Sequence, residues 1–177
     1  MEQNNYNTYH RERVEDFFIT GTSVTQIGWD EQMDNGKGNV CVVRHPVESI
    51  VYDPMAEDIQ DARAIIKLSW HPLSWFAEHY PDTAKYIADE TNEHENIGKP
   101  ESVANVLNEH EGCSLLMEYW YRRYDAKKKK YSINVAYFAG NALLDKMTDV
   151  YVHGLYPFVF DVYSRIEGQP VGEGMIA

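Results

Sequence analysis

The densest set of groups able to do chemistry is the segment DPMAEDIQDA, which carries Asp53, Glu57, Asp58 and Asp61 within nine positions. Clustered carboxylates hold calcium when alternate residues supply oxygens around a central glycine and a terminal glutamate closes the loop. That pattern is missing, so the segment reads as a turn that Asp53-Pro54 starts and whose carboxylates cap backbone amides. A second set, His94 and His110 beside Glu93, Glu95, Glu109 and Glu111, has the ligand types for zinc or a harder metal. Its spacing follows no helix face and suits a polar loop better. Glu118 with Asp145 or Asp161 offers the residue types of an acid–base pair, but nothing in the sequence brings them together. Gly172 and Gly174 lack the preceding βα unit of a phosphate cradle and read as a turn. No GxSxG, GxxxxGKS/T, HExxH or GxGxxG occurs. His71 and His79 flank an aromatic stretch and suit packing or capping, and His45 and His153 end strand-like runs.

Composition narrows the classes further. A chain of 177 residues with 44% hydrophobic and 25% charged residues has the balance of a globular protein. The formal charge of -12 argues against a surface that grips nucleic acid, because such binding rests on Lys and Arg neutralising phosphates. The basic run Lys127–Lys130 lies between two strand-like segments and reads as a solvated hairpin tip. No run approaches the roughly 20 apolar residues of a membrane span, and the polar start, MEQNNYNTYHRERVED, is neither a signal nor a transit peptide. Cys41 and Cys113 form no CxxC pair and no disulfide framework, so a reducing, intracellular setting is expected. Thirteen tyrosines and four tryptophans are a heavy aromatic load. Without a basic track it points to core and subunit interface rather than base stacking.

These groups need elements to position them. Periodicity predicts a helix over about Tyr6–Phe18, with Tyr9, Val14, Phe17 and Phe18 inward and Arg11, Glu12, Glu15 and Asp16 outward. Gly21 marks its end. Strands follow at Ser23–Trp29 and Asn39–His45, joined across an Asn-Gly step, then at ESIVYD and Arg63–Trp70. HPLSWFAEHYPDTAKYIADE reads as two helical pieces, the first capped by Ser69 or His71, the second opened by Pro81. Residues 90–112 read as an acidic linker. LLMEYWYRRYDA, YSINVAYFAG, NALLDKM and YPFVFDVYSR are strand-like and predict a meander. The expected class is α+β, antiparallel strands packed with a few short helices. It divides into 1–89, the linker 90–112 and a β-meander over 113–177, forming one compact domain.

The order of these segments resembles the central part of tailed-phage portal proteins, the head-to-tail connectors. GTSVTQIGWD, from Gly21 to Asp30, is similar to that family's glycine-led strand ending in an acid. Asp53, Pro54, Asp61 and Ala62 match its "DP.A....DA" stretch, and Tyr80-Pro81 its helix end. MEYWYRRY supplies Glu118 of an "E.W.." strand, and LYPFVFDVYSRIEGQPVGEG supplies Pro157, Phe158, Gly172 and Gly174. The resemblance implies a wing-region segment of a ring, usually of twelve subunits, at one capsid vertex. Its partners would be other portal subunits, capsid and terminase proteins, and DNA passing without sequence-specific binding. The setting would be the virion, and the host cytoplasm before assembly. It implies no catalytic residue, cofactor, metal or membrane. Portals run to several hundred residues, so the chain is expected to be a fragment, cut or from a truncated prophage gene, lacking stem and clip. Two other readings compete: a small acidic mimic of nucleic acid that inhibits a host enzyme, and a metal-dependent hydrolase built on His94 and His110.

Overall fold

A computed structural model describes residues 6–87, 112–127 and 129–175. The segment holding His94, His110 and their neighbouring glutamates lies outside the described residues. The chain forms two compact units, one from residues 1–65 and 153–177, the other from 66–152. Among the described residues no helix is long and apolar enough to cross a membrane. The class is α+β with antiparallel sheets, as expected.

The first unit opens with α1 (Tyr6–Ile19), followed by β1 (Thr22–Asp30) and β2 (Asn39–His45) as an antiparallel hairpin. The connection is longer than the two-residue turn an Asn-Gly step favours. It contains one helical turn, α2 (Met33–Gly36), in which Asp34, Asn35 and Gly36 all take left-handed backbone angles. Only residues with short polar or no side chains adopt that region cheaply. A short strand β3 (Ile50–Tyr52) follows. Later in the chain come β8 (Phe158–Val162) and the paired short strands β9 (Ser164–Arg165) and β10 (Gly172–Glu173).

The YPFVFDVYSR segment does not extend the meander. Its strand β8 pairs antiparallel with β1, giving the order β2-β1-β8, with Val24 opposite Phe160 and Gln26 opposite Phe158. Val24, Ile65 and Phe158 are fully buried in this unit, and Ile50 and Ile59 nearly so.

The expected inward face of α1 is corrected by the structure. Tyr9, Val14 and Phe17 are half-buried, but Phe18 is 40% exposed, while Asp16, assigned to the outer face, is buried. The cause is Arg44 on β2, whose Nε and guanidinium N–H groups donate to both Asp16 carboxylate oxygens. Arg13 pairs with Asp161 on β8 at 2.7 Å, and Tyr9 bonds Thr25 on β1. Polar clamps, beside half-buried Val14 and Phe17, seat this helix.

In the second unit β4 (Ala64–Pro72, its first two residues in the first unit), β5 (Cys113–Asp125), β6 (Lys130–Ala139) and β7 (Ala142–Met147) lie in that order in one sheet. The β5–β6 and β6–β7 pairs are antiparallel, joined by the Lys-rich turn and by Gly140-Asn141, and this is the predicted meander. Helix α3 (Leu73–His79) begins directly after β4. Neither expected cap forms, because the strand runs through Ser69 and His71 to Pro72. Their side chains bond each other instead, at 3.0 Å. Among the described residues the second helical piece is a single 3-10 turn, Ala84–Tyr86. Phe76, Ile87, Leu116 and Ala139 form one core cluster of this unit, with Trp75, Tyr80 and Tyr137 packed against them.

Candidate functional site

Three of the residues singled out in the sequence meet at one place in the first unit. Gly21 ends α1 with φ +75°, where the chain turns into β1. A β-carbon at Gly21 would lie 2.2 Å from the Glu173 carbonyl carbon, and one at Gly174 would lie 2.1 Å from the Ile19 oxygen. One at Gly172 would stand 2.5 Å from the Ser164 oxygen. Backbone therefore packs on backbone, at a separation only glycine allows. The Gly172 amide donates to Thr22 Oγ1 at 2.9 Å, the Tyr163 amide to Gly21 O at 3.0 Å and the Met175 amide to Phe18 O at 2.9 Å. The tail segment, whose Gly172 and Gly174 read as a turn in the sequence, is a clasp around the end of α1. This is no phosphate cradle, because its amides are spent on the protein itself.

The DPMAEDIQDA turn forms a second locked feature of the same unit. The Asp53 carboxylate accepts from Arg63 Nε at 2.6 Å and from the Met55 amide at 3.1 Å. The Arg63 hydrogen bond and the Met55 amide hold that carboxyl well below the usual carboxylate range. Its ionic contribution is thus present above the ordinary carboxylate range and is lost as pH falls through the folded value. Asp58 caps the Gln60 amide at 2.8 Å, at the start of the 3-10 turn Ile59–Asp61. Pro54 and Asp61 are exposed, whereas Ala62 is fully buried.

Gln60 is the residue sequence reasoning missed. Its Nε2 donates to the Tyr156 and Phe158 carbonyls at 3.2 and 2.9 Å, and its Oε1 accepts from the Tyr156 amide at 2.9 Å. The Tyr156 hydroxyl returns the contact by donating to the Ala62 and Arg63 carbonyls, each at 3.0 Å. Pro157, buried between them, accepts from the Ile27 amide at 2.8 Å. The "DP.A....DA" stretch and the Pro-Phe strand are thereby one structural piece. A single glutamine among carboxylates has no pattern to announce it. Gln60→Ala strips three hydrogen bonds from backbone groups that end up away from water, and the expected cost is about 2–3 kcal/mol. Urea unfolding checks this, and a midpoint unchanged from wild type would refute the clamp.

In the second unit Glu118 is the centre of the titratable groups. Glu118 and Lys67 pair at 2.6 Å with side chains only 11% and 14% exposed, and the Trp120 indole donates to Glu118 at 3.3 Å. Tyr137 stands opposite Glu118 on β6, and Asp145 opposite Tyr137 on β7. Burial first, and then the Glu118 charge, pushes the Tyr137 hydroxyl above its ordinary value. Tyr151 is raised for the same two reasons, and Tyr80 by burial with Asp145 and Glu118. These phenols stay neutral around a charge that a lysine already compensates. Asp161, the other partner considered for Glu118, is bonded to Arg13 in the first unit. Tyr80 packs on the second unit's core and its carbonyl accepts from the Thr83 and Ala84 amides, with exposed Pro81 turning the chain between. Asp30, at the end of β1, accepts from the Gln32 amide at 2.9 Å.

His71 stacks on Trp75 at 4.1 Å between ring centroids. Burial, and then the Lys67 ammonium, pushes its pKa below the ordinary 6.5, against a smaller opposing pull from Glu118. The unfolded chain therefore takes up the proton first. The His71 contribution is complete above pH 6.5 and is lost as pH falls through the lower folded value. His71→Phe keeps the stacking and should flatten this part of the profile, read as the urea midpoint between pH 7.5 and about 5. An identical slope in the variant would exclude His71 as its source.

The described residues thus place the sequence-selected side chains on locks between backbone segments and on one compensated charge pair. In comparisons with known proteins, the family described as phage P22-like portal protein matches residues 1–169. No curated protein matches the chain. Portal proteins are structural components of the virion that assemble as rings and engage capsid and terminase proteins. With the match running from Met1 through Gln169, the chain belongs to the phage P22-like portal protein family.

Proposed function

We propose that this chain is a wing-region wall segment of a twelve-subunit portal ring through which DNA is packaged and ejected, and that it carries out no chemistry of its own. The observation that carries the reading is the family match over residues 1–169. The chemistry of the described residues supports it. Asp16, Asp53, Asp161 and Glu118 are each paired internally with Arg44, Arg63, Arg13 and Lys67. Carboxylates spent in this way do not serve as phosphate stand-ins, which weakens the nucleic-acid-mimic reading. The net charge of -12 suits a wall that DNA slides past, since it repels a polyanion rather than gripping it.

The test is mass by multi-angle light scattering joined to negative-stain imaging over a wide concentration range. The expected outcome is closed rings with a mass near twelve times 20.5 kDa. A chain that remains at the mass of one copy, with no rings at any concentration, would defeat the reading.

A further inference from the structure

Two hairpin tips stand out among the surfaces that the locks leave unused. At the β1–β2 tip, Trp29 is 61% exposed, flanked on the same sheet face by exposed Ile27 and Val40, the latter directly opposite it on β2. Gly38, at φ +79°, lies under the indole, where a β-carbon would come within 2.6 Å of the ring. The ring is therefore seated on backbone with its outer face open. The connection that follows Trp29, from Asp30 to Lys37, carries Asp30, Glu31 and Asp34 against one cation, Lys37. At the β5–β6 tip the balance is reversed, with five cations and one carboxylate among the described residues from Arg122 to Lys130. Tyr124 and Tyr131 are about half exposed there, in edge contact at 5.3 Å, with Arg122 stacked over Tyr131 at 4.3 Å. An open groove of about 550 Å³ runs beside them, lined by Arg123, Tyr124, Asp125, Lys127, Thr148 and Asp149. Asp125 there accepts from the Lys127 amide.

We propose that the Trp29 tip of one copy docks on the cationic β5–β6 tip of the next copy. The inference rests on the ring reading, which supplies the second copy as occupant. A closed ring of more than two copies needs a heterologous contact, in which two different surfaces of the same chain complement each other. Copies that each carry -12 repel over most of their surface. The concentrated cations of Arg122–Lys130 are where a neighbour's carboxylates meet attraction instead. An exposed Trp followed by an acidic connection, facing exposed Tyr and Arg, has the anatomy of an interface anchor: aromatic centre, charged border. The border pairs set orientation and encounter rate, and the aromatic contact supplies most of the hold.

The experiment uses the full chain and two charge-reversed variants, Asp30→Lys with Glu31→Lys, and Arg123→Glu with Lys127→Glu, followed by sedimentation velocity. Each variant alone should self-associate at least about tenfold more weakly than wild type, and raised salt should weaken wild type in the same direction. Mixing the two variants should restore association, because every contact between unlike copies then carries opposite charges in both directions. That recovery also shows that both variants are folded. Trp29→Ala should weaken association without a change in its salt dependence. Wild-type self-association that neither reversal alters would overturn this interface while leaving the ring reading to the imaging test. Association retained by the Arg123/Lys127 variant, with loss of binding to a double-stranded oligonucleotide, would overturn it in favour of nucleic acid at that tip. Wild type that stays monomeric throughout would overturn it as well.

Discussion

Gly21→Ala should lower the stability of this chain by about 2–5 kcal/mol. A left-handed residue with a β-carbon costs about 1–2 kcal/mol, and forcing extra volume into packed structure adds about 1–3 kcal/mol. At Gly21 both apply: φ is +75°, and the new carbon would sit 2.2 Å from backbone that has no flexible end to move aside. For a chain of this length the loss corresponds to a fall in Tm of roughly 5–15 °C. Gly174→Ala should behave similarly through its overlap with the Ile19 carbonyl. Gly28 is the internal comparison, since it lies in the same strand-rich region with nothing within 4 Å of an added β-carbon. Gly28→Ala should therefore leave Tm nearly unchanged or slightly raised. Thermal unfolding followed by circular dichroism decides the matter. If Gly21→Ala melts within about 2 °C of wild type, the clasp is not closed in solution.

The second large effect is expected at the Lys67–Glu118 pair. Removing one member of a buried pair leaves an uncompensated charge and costs about 3–5 kcal/mol, whereas replacing both with apolar groups of similar size is often neutral. Lys67→Met should therefore be strongly destabilising, and so should Glu118→Met. The double variant should regain most of the loss, short of about 1 kcal/mol for the lost hydrogen bond between the Trp120 indole and Glu118. The coupling energy from a urea double-mutant cycle should thus be large and of the sign that favours the pair over either lone charge. Simple additivity of the two single losses would show that the charges do not sense each other.

Elements whose residues carry local chemistry were legible from the sequence. Gly21, the strand patterns of β1, β2, β5 and β6, and the turn at Asp53-Pro54 depend on propensities that act within a few residues. Their residue types alone announce them. What escaped is long-range and polar. Asp16 is buried because Arg44, on a different element, neutralises it; no helical periodicity encodes a partner 28 positions away. Ser69 and His71 resemble helix caps, but the sheet extends β4 through them. The same limit explains the clasp: each of Gly21, Gly172 and Gly174 is visible as a glycine, while their meeting is a property of the fold. For the candidate site, the types of Asp53 and Glu118 were readable, and their partners Arg63 and Lys67 were not.

The pairing of β1 with β8 has a consequence for how the protein is made. The first unit is assembled from two stretches separated by residues 66–152. At a synthesis rate of roughly 5–20 residues per second, β8 emerges from the ribosome on the order of ten seconds after β1. The β1–β2 hairpin and the Asp16–Arg44 clamp need only residues already made and can form meanwhile. The far edge of β1, from Thr22 to Gln26, has no strand to bond until Phe158–Val162 appears. An open edge of that kind is a template for strands of other chains, and neighbouring nascent copies on one message present the same edge at the same time. Slower initiation or lower temperature during production should therefore improve the yield of soluble protein, by spacing copies apart during the interval in which each waits for its own β8.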